Sequence, residues 1–267
     1  MRLGHINFLN VLPLTYGYAH LGLSPTVGVP TKINRKLAEG ALDVSQISSI
    51  EFARMSDRLV MLPGICVRAD VDVQSIVLIS RRPIEQLDGA RVILTSKSAT
   101  AQCLLKIILS KAYNIKPQYE TRAVPIEKPI DDDAAASLLI GDDALYIYHH
   151  RPTDCYCYDV GREWHRLTGR SMVYAVWAAR KNFDGIDEAR ALIDRALRYG
   201  LEHKSEAIRA ELPSRAFTFE QLDEYLGGII KWDMTAEHAE SLKLYYELAK
   251  EIGQLERTSA VEKIFLS

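Results

Sequence analysis

Up to about residue 180, short β-branched apolar runs alternate with segments of helical period, and this alternation is the feature that most narrows the fold. Leu3–Leu9 reads as a strand, and a helix opens at Pro13, since proline suits a first turn, and runs to about Leu21. A short strand at Thr26–Val29 precedes a helix capped by Thr31 that ends at Gly40. Leu42–Ile47 is a third strand, after which Ser48-Ser49 opens a helix over Ile50–Met55. Further strands are expected at Arg58–Leu62, Ser75–Ser80, Arg91–Thr95, Gln118–Val124, Ser137–Ile140 and Met172–Ala179. Between them come a helix at Ala101–Ala112, an acidic helix start at Asp131–Ala136 and a helix within Tyr158–Thr168. From Phe183 the pattern turns all-helical, with an end at Gly200, a capping box at Thr218 and Gln221, and a last apolar stripe of Tyr245, Leu248, Ala249, Ile252 and Leu255.

Strands alternating with helices imply parallel sheets with helices on both faces. No Pro/Gly/Ser-rich linker divides the chain, so two lobes would be joined by extended strands, and Ser75–Ser80 and Met172–Ala179 are the natural crossings. The expected fold class is α/β, with two α/β lobes around a cleft. Lobe I is discontinuous, 1–78 plus 175–267, and lobe II is 79–174. A ligand in such a fold lies at the C-terminal ends of strands and the N-termini of helices.

Composition excludes several classes. Lys plus Arg is 33 against 35 Asp plus Glu, a formal charge of −2, which argues against a nucleic-acid binder relying on a positive field. The longest apolar run, Met172–Ala179, is far short of the roughly 20 residues of a membrane span. The opening Met1-Arg2-Leu3-Gly4-His5 enters a patterned segment without a signal-peptide core, so a cytoplasmic protein is expected. The cysteines Cys66, Cys103, Cys155 and Cys157 form no C-x-x-C pair, and His149-His150 near Asp154 lacks chelating spacing, so neither a metal nor another cofactor is expected. No P-loop, G-x-S-x-G or G-x-G-x-x-G is present.

The candidate site residues are those in loops that follow strands. Asn10 ends the first strand with an amide that both donates and accepts. Ser48 and Ser49 open a helix whose N–H groups suit a carboxylate. Thr95-Ser96-Lys97-Ser98-Ala99-Thr100 places four hydroxyls in six residues at a strand-to-helix turn, and from it we select Thr95, Ser98 and Thr100 for an anion. Ser75 opens the first crossing strand, and Asp142, in Gly141-Asp142-Asp143 after a buried strand, is a candidate for proton transfer. Each of these also has an ordinary structural use as a cap or turn. The residues by themselves describe a two-lobed binder of a small anion, either an enzyme or a binding module.

Taken in order, these segments are similar to the chorismate dehydratase family of the futalosine route to menaquinone. Gly4-His5-Ile6-Asn7-Phe8-Leu9-Asn10-Val11-Leu12-Pro13 resembles the family's opening, and the likeness continues through Ile47–Ala53, Ser75–Ser80, Leu94–Thr100, Leu139–Leu145, Tyr158–Trp164 and Ala175–Arg180. The resemblance implies a type II periplasmic-binding-protein-like fold and a hydro-lyase that eliminates water from chorismate to give 3-[(1-carboxyvinyl)oxy]benzoate. Loss of the ring C3 proton, γ to an unsaturated carboxylate, gives a dienolate, and expulsion of the C4 hydroxyl aromatises the ring. Ser48, Ser49, Ser98 and Thr100 would anchor carboxylates, and Asn10 and Ser75 would orient the reacting edge. No base stands out, which leaves a substrate carboxylate for that role, with Asp142 as runner-up. Two departures from the family are visible. Arg68–Gln74 lacks the family's glycine-containing turn, and Ala101 replaces a hydroxyl residue. The alternatives are a non-catalytic cytoplasmic small-anion-binding protein and 1,4-dihydroxy-6-naphthoate synthase, whose P-x-x-x-N-D-T opening is missing here. The expected partner is a small molecule, with no nucleic acid and no membrane, and a homodimer is left open.

Overall fold

A computed structural model describes residues 1–214 and 216–256, so the 257–267 end of the expected lobe I lies outside the described residues. The strands form two sheets. In the first, β1 (Leu3–Ile6) lies between β2 (Thr26–Gly28) and β3 (Val44–Ser48). β10 (Met172–Arg180), β4 (Leu59–Ala69) and the short β11 (Lys231–Asp233) extend the sheet beyond β3. The second sheet runs β7 (Gln118–Arg122), β6 (Arg91–Thr95), β8 (Ala136–Ile140), β5 (Ile76–Ser80) and β9 (Tyr156–Asp159).

Both sheets are mixed rather than parallel. β10 runs antiparallel to both β3 and β4, and β5 runs antiparallel to β8 and β9. The cause is the double crossing: β4 leads out of the first sheet, β10 leads back in, and the two pair with opposite directions. The crossings themselves are not made by the two most strand-like segments, because β5 pairs only within the second sheet and β10 only within the first. Residues 70–75 make one passage, and α6 (Val160–Thr168) with the turn after it makes the other. By sheet membership Ile76–Leu78 therefore go with the second sheet and Met172–Tyr174 with the first. An apolar run signals burial between neighbours, which β5 and β10 both have, and not passage between lobes.

The helices lie close to their expected places. They include α1 (Leu12–His20), α2 (Pro30–Ala38), α3 (Ser49–Arg54), α4 (Ala99–Lys111) and α5 (Gly141–His149). α2 starts one residue before Thr31, with Pro30 in its first turn and no side-chain cap. The acidic stretch at 131–135 is a turn rather than a helix start, because Arg122 pairs with Asp131 and Arg91 with Asp133. α7 (Ile186–Glu202) runs past Gly200. Gly200 is in the helix for packing: a Cβ there would stand 1.7 Å from the Pro13 carbonyl oxygen, and one on Gly17 would stand 1.8 Å from that of Ala196. α1 and α7 thus cross backbone to backbone at two glycines. The last part comprises α8 (Lys204–Glu211), α9 (Phe219–Tyr225) with its Thr218/Gln221 capping box, and α10 (Ala236–Glu251), but β11 interrupts the expected all-helical run.

β10 is the spine of the core. Val176, Trp177, Ala178 and Ala179 are wholly inaccessible, and each large side chain buried this way contributes about 1.5–3 kcal/mol. On β1, His5 is equally enclosed: its Nε2 lies 2.7 Å from the Thr15 hydroxyl, and its ring meets Tyr18 edge-on.

Two predictions follow from this packing. Gly17→Ala or Gly200→Ala forces α1 and α7 apart and lowers the unfolding free energy by about 1–3 kcal/mol, read from urea melts. Burial pushes the His5 imidazole from its ordinary 6.5 down to about 4, so it stays neutral in the folded chain. The unfolded chain takes up a proton as pH falls through 6.5. The stability tied to neutral His5 is therefore complete above that pH and is lost toward pH 4, by about 3 kcal/mol in all. His5→Gln should flatten the stability-versus-pH slope between pH 6.5 and 4.5 relative to the wild type.

Candidate functional site

Where the two sheets face each other, the starts of four helices meet around a cleft. Pro30 of α2, Ser48 before α3, Ser98 before α4 and Gly141 of α5 all line it. The cleft encloses about 600 Å³, counting its open mouth. Asn10, Gln46, Ser75 and Tyr174 complete the polar wall, and Ile6, Phe8, Val67, Val73 and Ile140 are among the apolar residues. None of the described residues lining it is charged. The positive ends of helix dipoles take the place that lysine or arginine holds in other anion sites.

Each element sets its side chain by local rules. Ser98 caps α4 by accepting the Ala101 N–H at 3.2 Å. Ser48 is paired with Asn34 of α2: the Asn34 amide donates to Ser48 Oγ at 3.1 Å, and the Ser48 N–H donates to Asn34 Oδ1 at 3.3 Å. Gln46 Oε1 accepts the Ile6 N–H at 3.0 Å, which fixes that side chain between β1 and β3. Asn10 stands in a 3-10 turn, Leu9–Val11, whose backbone is held by the Trp232 indole donating to the Asn10 carbonyl at 3.0 Å. Its side-chain oxygen is buried with no partner among the described residues. Ser75 donates to the Val73 carbonyl at 3.2 Å, and burial drives up the pKa of the wholly buried Tyr225 hydroxyl.

Of the residues expected from sequence, Asn10, Ser48, Ser75 and Ser98 come together on this one wall. Ser49, Thr95, Thr100 and Asp142 are not on it. Ser49 Oγ donates to the Val173 carbonyl at 2.8 Å. Thr95 Oγ1 accepts the Lys97 N–H at 3.2 Å. Thr100 reaches across to α3, accepting the Ile50 N–H at 3.2 Å, so this hydroxyl occupies one of the donors expected to bind ligand. Asp142 accepts the Leu9 N–H at 3.0 Å, a contact between the lobes. Beside it, Lys97 is 2.7 Å from Asp143.

Sequence reasoning did not select Gln46, Tyr174, Phe8 or Tyr225. Gln46 carried a usable signal, a polar residue within an apolar strand. Phe8 and Tyr174 read as ordinary core, and nothing local marks Tyr225. The Phe8 ring rests on Gly141, where φ is +67° and a Cβ would stand 2.9 Å from Cε1, so the glycine both adopts the left-handed backbone and admits the ring. Among the described residues no group of His, Cys, Asp and Glu could hold a metal, and no helix is long and apolar enough to cross a membrane.

Residues 1–251 match a family described as menaquinone biosynthesis. The chain belongs to that family. It is 31% identical over 223 residues to the chorismate dehydratase of Thermus thermophilus, covering 78% of this chain and 80% of that protein. It is 25% identical over 220 residues to the 1,4-dihydroxy-6-naphtoate synthase of the same organism, covering 78% and 77%. Among solved structures, an Archaeoglobus fulgidus protein aligns with a TM-score of 0.75 at 19% identity, over 95% of this chain and 98% of that one. The periplasmic aliphatic sulphonate binding protein of Escherichia coli aligns with a TM-score of 0.68 at 14% identity, over 98% and 90%. This family member therefore has the periplasmic-binding-protein-like fold expected from its sequence.

The Phe8–Gly141 contact gives a direct check. Gly141→Ala should cost about 1–3 kcal/mol in urea melts through the positive φ and the ring clash together. Combining it with Phe8→Ala removes the clash but not the backbone strain, so the double variant should lose less than the sum of the two.

Proposed function

We propose that the chain is a chorismate dehydratase, a hydro-lyase of menaquinone biosynthesis that converts chorismate to 3-[(1-carboxyvinyl)oxy]benzoate. The observation that carries this reading is the meeting of Asn10, Ser48, Ser75 and Ser98 with four helix starts on a cleft whose lining is uncharged. Such a wall suits a dianion held by neutral donors, and it supplies polar groups for charge that develops during reaction. The 31% identity to the Thermus enzyme supports this reading over the naphthoate synthase, which stands at 25%.

Ser48 and Ser98 hold carboxylates, and Asn10 and Ser75 face the reacting edge of the ring. Among the described residues no Asp, Glu, His or Lys lines the cleft, so one of the substrate's own carboxylates takes the C3 proton. The electron pair left at C3 delocalises into the ring and its carboxylate as a dienolate. It then returns to form the C3–C4 double bond as hydroxide leaves C4. Hydroxide takes up the abstracted proton and departs as water, leaving an aromatic ring. The chain's contribution is orientation and hydrogen bonding to developing charge, the two largest resources of a site that lacks its own base.

The test is to incubate the protein with chorismate and follow benzoate-type ultraviolet absorption. Asn10→Ala and Ser75→Ala are each expected to lower kcat by about 10²-fold or more, as loss of one preorganised donor does elsewhere. Tight binding of chorismate without product would instead favour a non-catalytic binding protein, and wild-type turnover in both variants would remove Asn10 and Ser75 from the mechanism.

A further inference from the structure

Ser75 stands at the end of an unusual backbone. Its N–H donates to the Val73 carbonyl at 2.6 Å, closing a three-residue turn, and the central residue Gln74 has φ +58°. Such turns are rare and strained for any residue but glycine. The Gln74 side chain offers no compensation, because it is buried and its Oε1 has no partner among the described residues.

The compensation comes from Asp159. It ends β9 directly opposite Val77 of β5, which sets its carboxylate beneath the turn. One oxygen accepts the Gly161 and Arg162 N–H groups at 2.9 and 3.0 Å, capping α6. The same carboxylate accepts the Val73 N–H at 3.1 Å and the Gln74 N–H at 2.6 Å. One buried side chain thus ties the outgoing passage, residues 70–75, to the start of the returning one. A cap for α6 alone needs no more than a short side chain such as serine. The reach to residues 73 and 74 exceeds that need, and those two amides lead directly into Ser75.

The geometry points to Asp159 as a positioning residue: it clamps the strained turn at Gln74 and so fixes Ser75, whose hydroxyl donates to the Val73 carbonyl inside that turn, in the cleft wall. This rests on the dehydratase reading for its effect on rate, but the clamp itself does not. Asp159→Asn places an amide donor against backbone donors. Asp159→Ser keeps the helix cap and is too short to reach the turn. Both are expected to lower kcat on chorismate about tenfold or more while moving KM little, since small misplacements of an orienting group are costly. Adding Gln74→Gly to Asp159→Ser should recover part of that kcat, because glycine adopts positive φ without help. A purely structural residue would lower thermal stability with no such recovery. Wild-type kcat in folded Asp159→Ser, or a loss that Gln74→Gly does not relieve, overturns the assignment. Amide exchange at residues 73–75, measured in parallel, should quicken in Asp159→Ser. If the wild-type protein leaves chorismate unchanged, the dehydratase reading fails and this exchange alone decides the clamp, with unchanged protection overturning it.

Discussion

The antiparallel pairing of β4 with β10 is the interaction on which the remainder of the structure depends. β4 carries the chain out of the first sheet and β10 brings it back, and their hydrogen bonds keep the two passages side by side. Without that pairing the second sheet would be tethered at two unrelated points. With it, residues that enter and leave the second sheet, around Ser75 and around Asp159, lie within hydrogen-bond reach of each other. β10 is also largely buried, and Tyr174 and Ala175, near its start, form part of the cleft wall. One strand therefore serves as core, as the first element after the return passage and as part of the site.

A second set of contacts joins the lobes at α10. α10 presents adjacent tyrosines: the Tyr246 hydroxyl donates to the Ser49 carbonyl at 2.8 Å, and the Tyr245 hydroxyl donates to the Thr100 carbonyl at 3.2 Å. Ser49 begins α3 and Thr100 is in the first turn of α4, so α10 binds the start of a helix from each lobe. With the Thr100 to Ile50 contact, these bonds make the α3–α4 junction a joint between lobes. That is the physical reason Ser49 and Thr100 differ from their neighbours Ser48 and Ser98. The same hydroxyl chemistry at the same kind of helix start is enclosed in the joint in one pair, while in the other each hydroxyl accepts a single protein N–H and still lines the cleft.

The near-neutral charge of the chain also has a local meaning. Several of its cations are paired with carboxylates outside the cleft lining: Arg2 and Arg180 hold Asp43 well below the usual carboxylate range, and Arg162 lowers that of Asp72. The cleft is left to neutral donors and helix ends, which favour an anion without the desolvation cost of burying a lysine or arginine beside it.

Periodicity alone determined much of this protein. The positions of β6, β8, β10, α1 and the α9 cap were legible because each rests on local apolar spacing, a proline or a capping pair. Asn10, Ser48, Ser75 and Ser98 were legible as site candidates because a polar residue after a strand is unusual unless it caps or binds. Only the tertiary structure decided strand direction, the true crossings and the division of hydroxyls between cleft and joint, since all three depend on partners distant in the chain. It alone also revealed the turn at Gln74. A left-handed φ on a residue with a side chain is paid for by long-range contacts, here the Asp159 carboxylate, and a strained backbone leaves no mark in local composition.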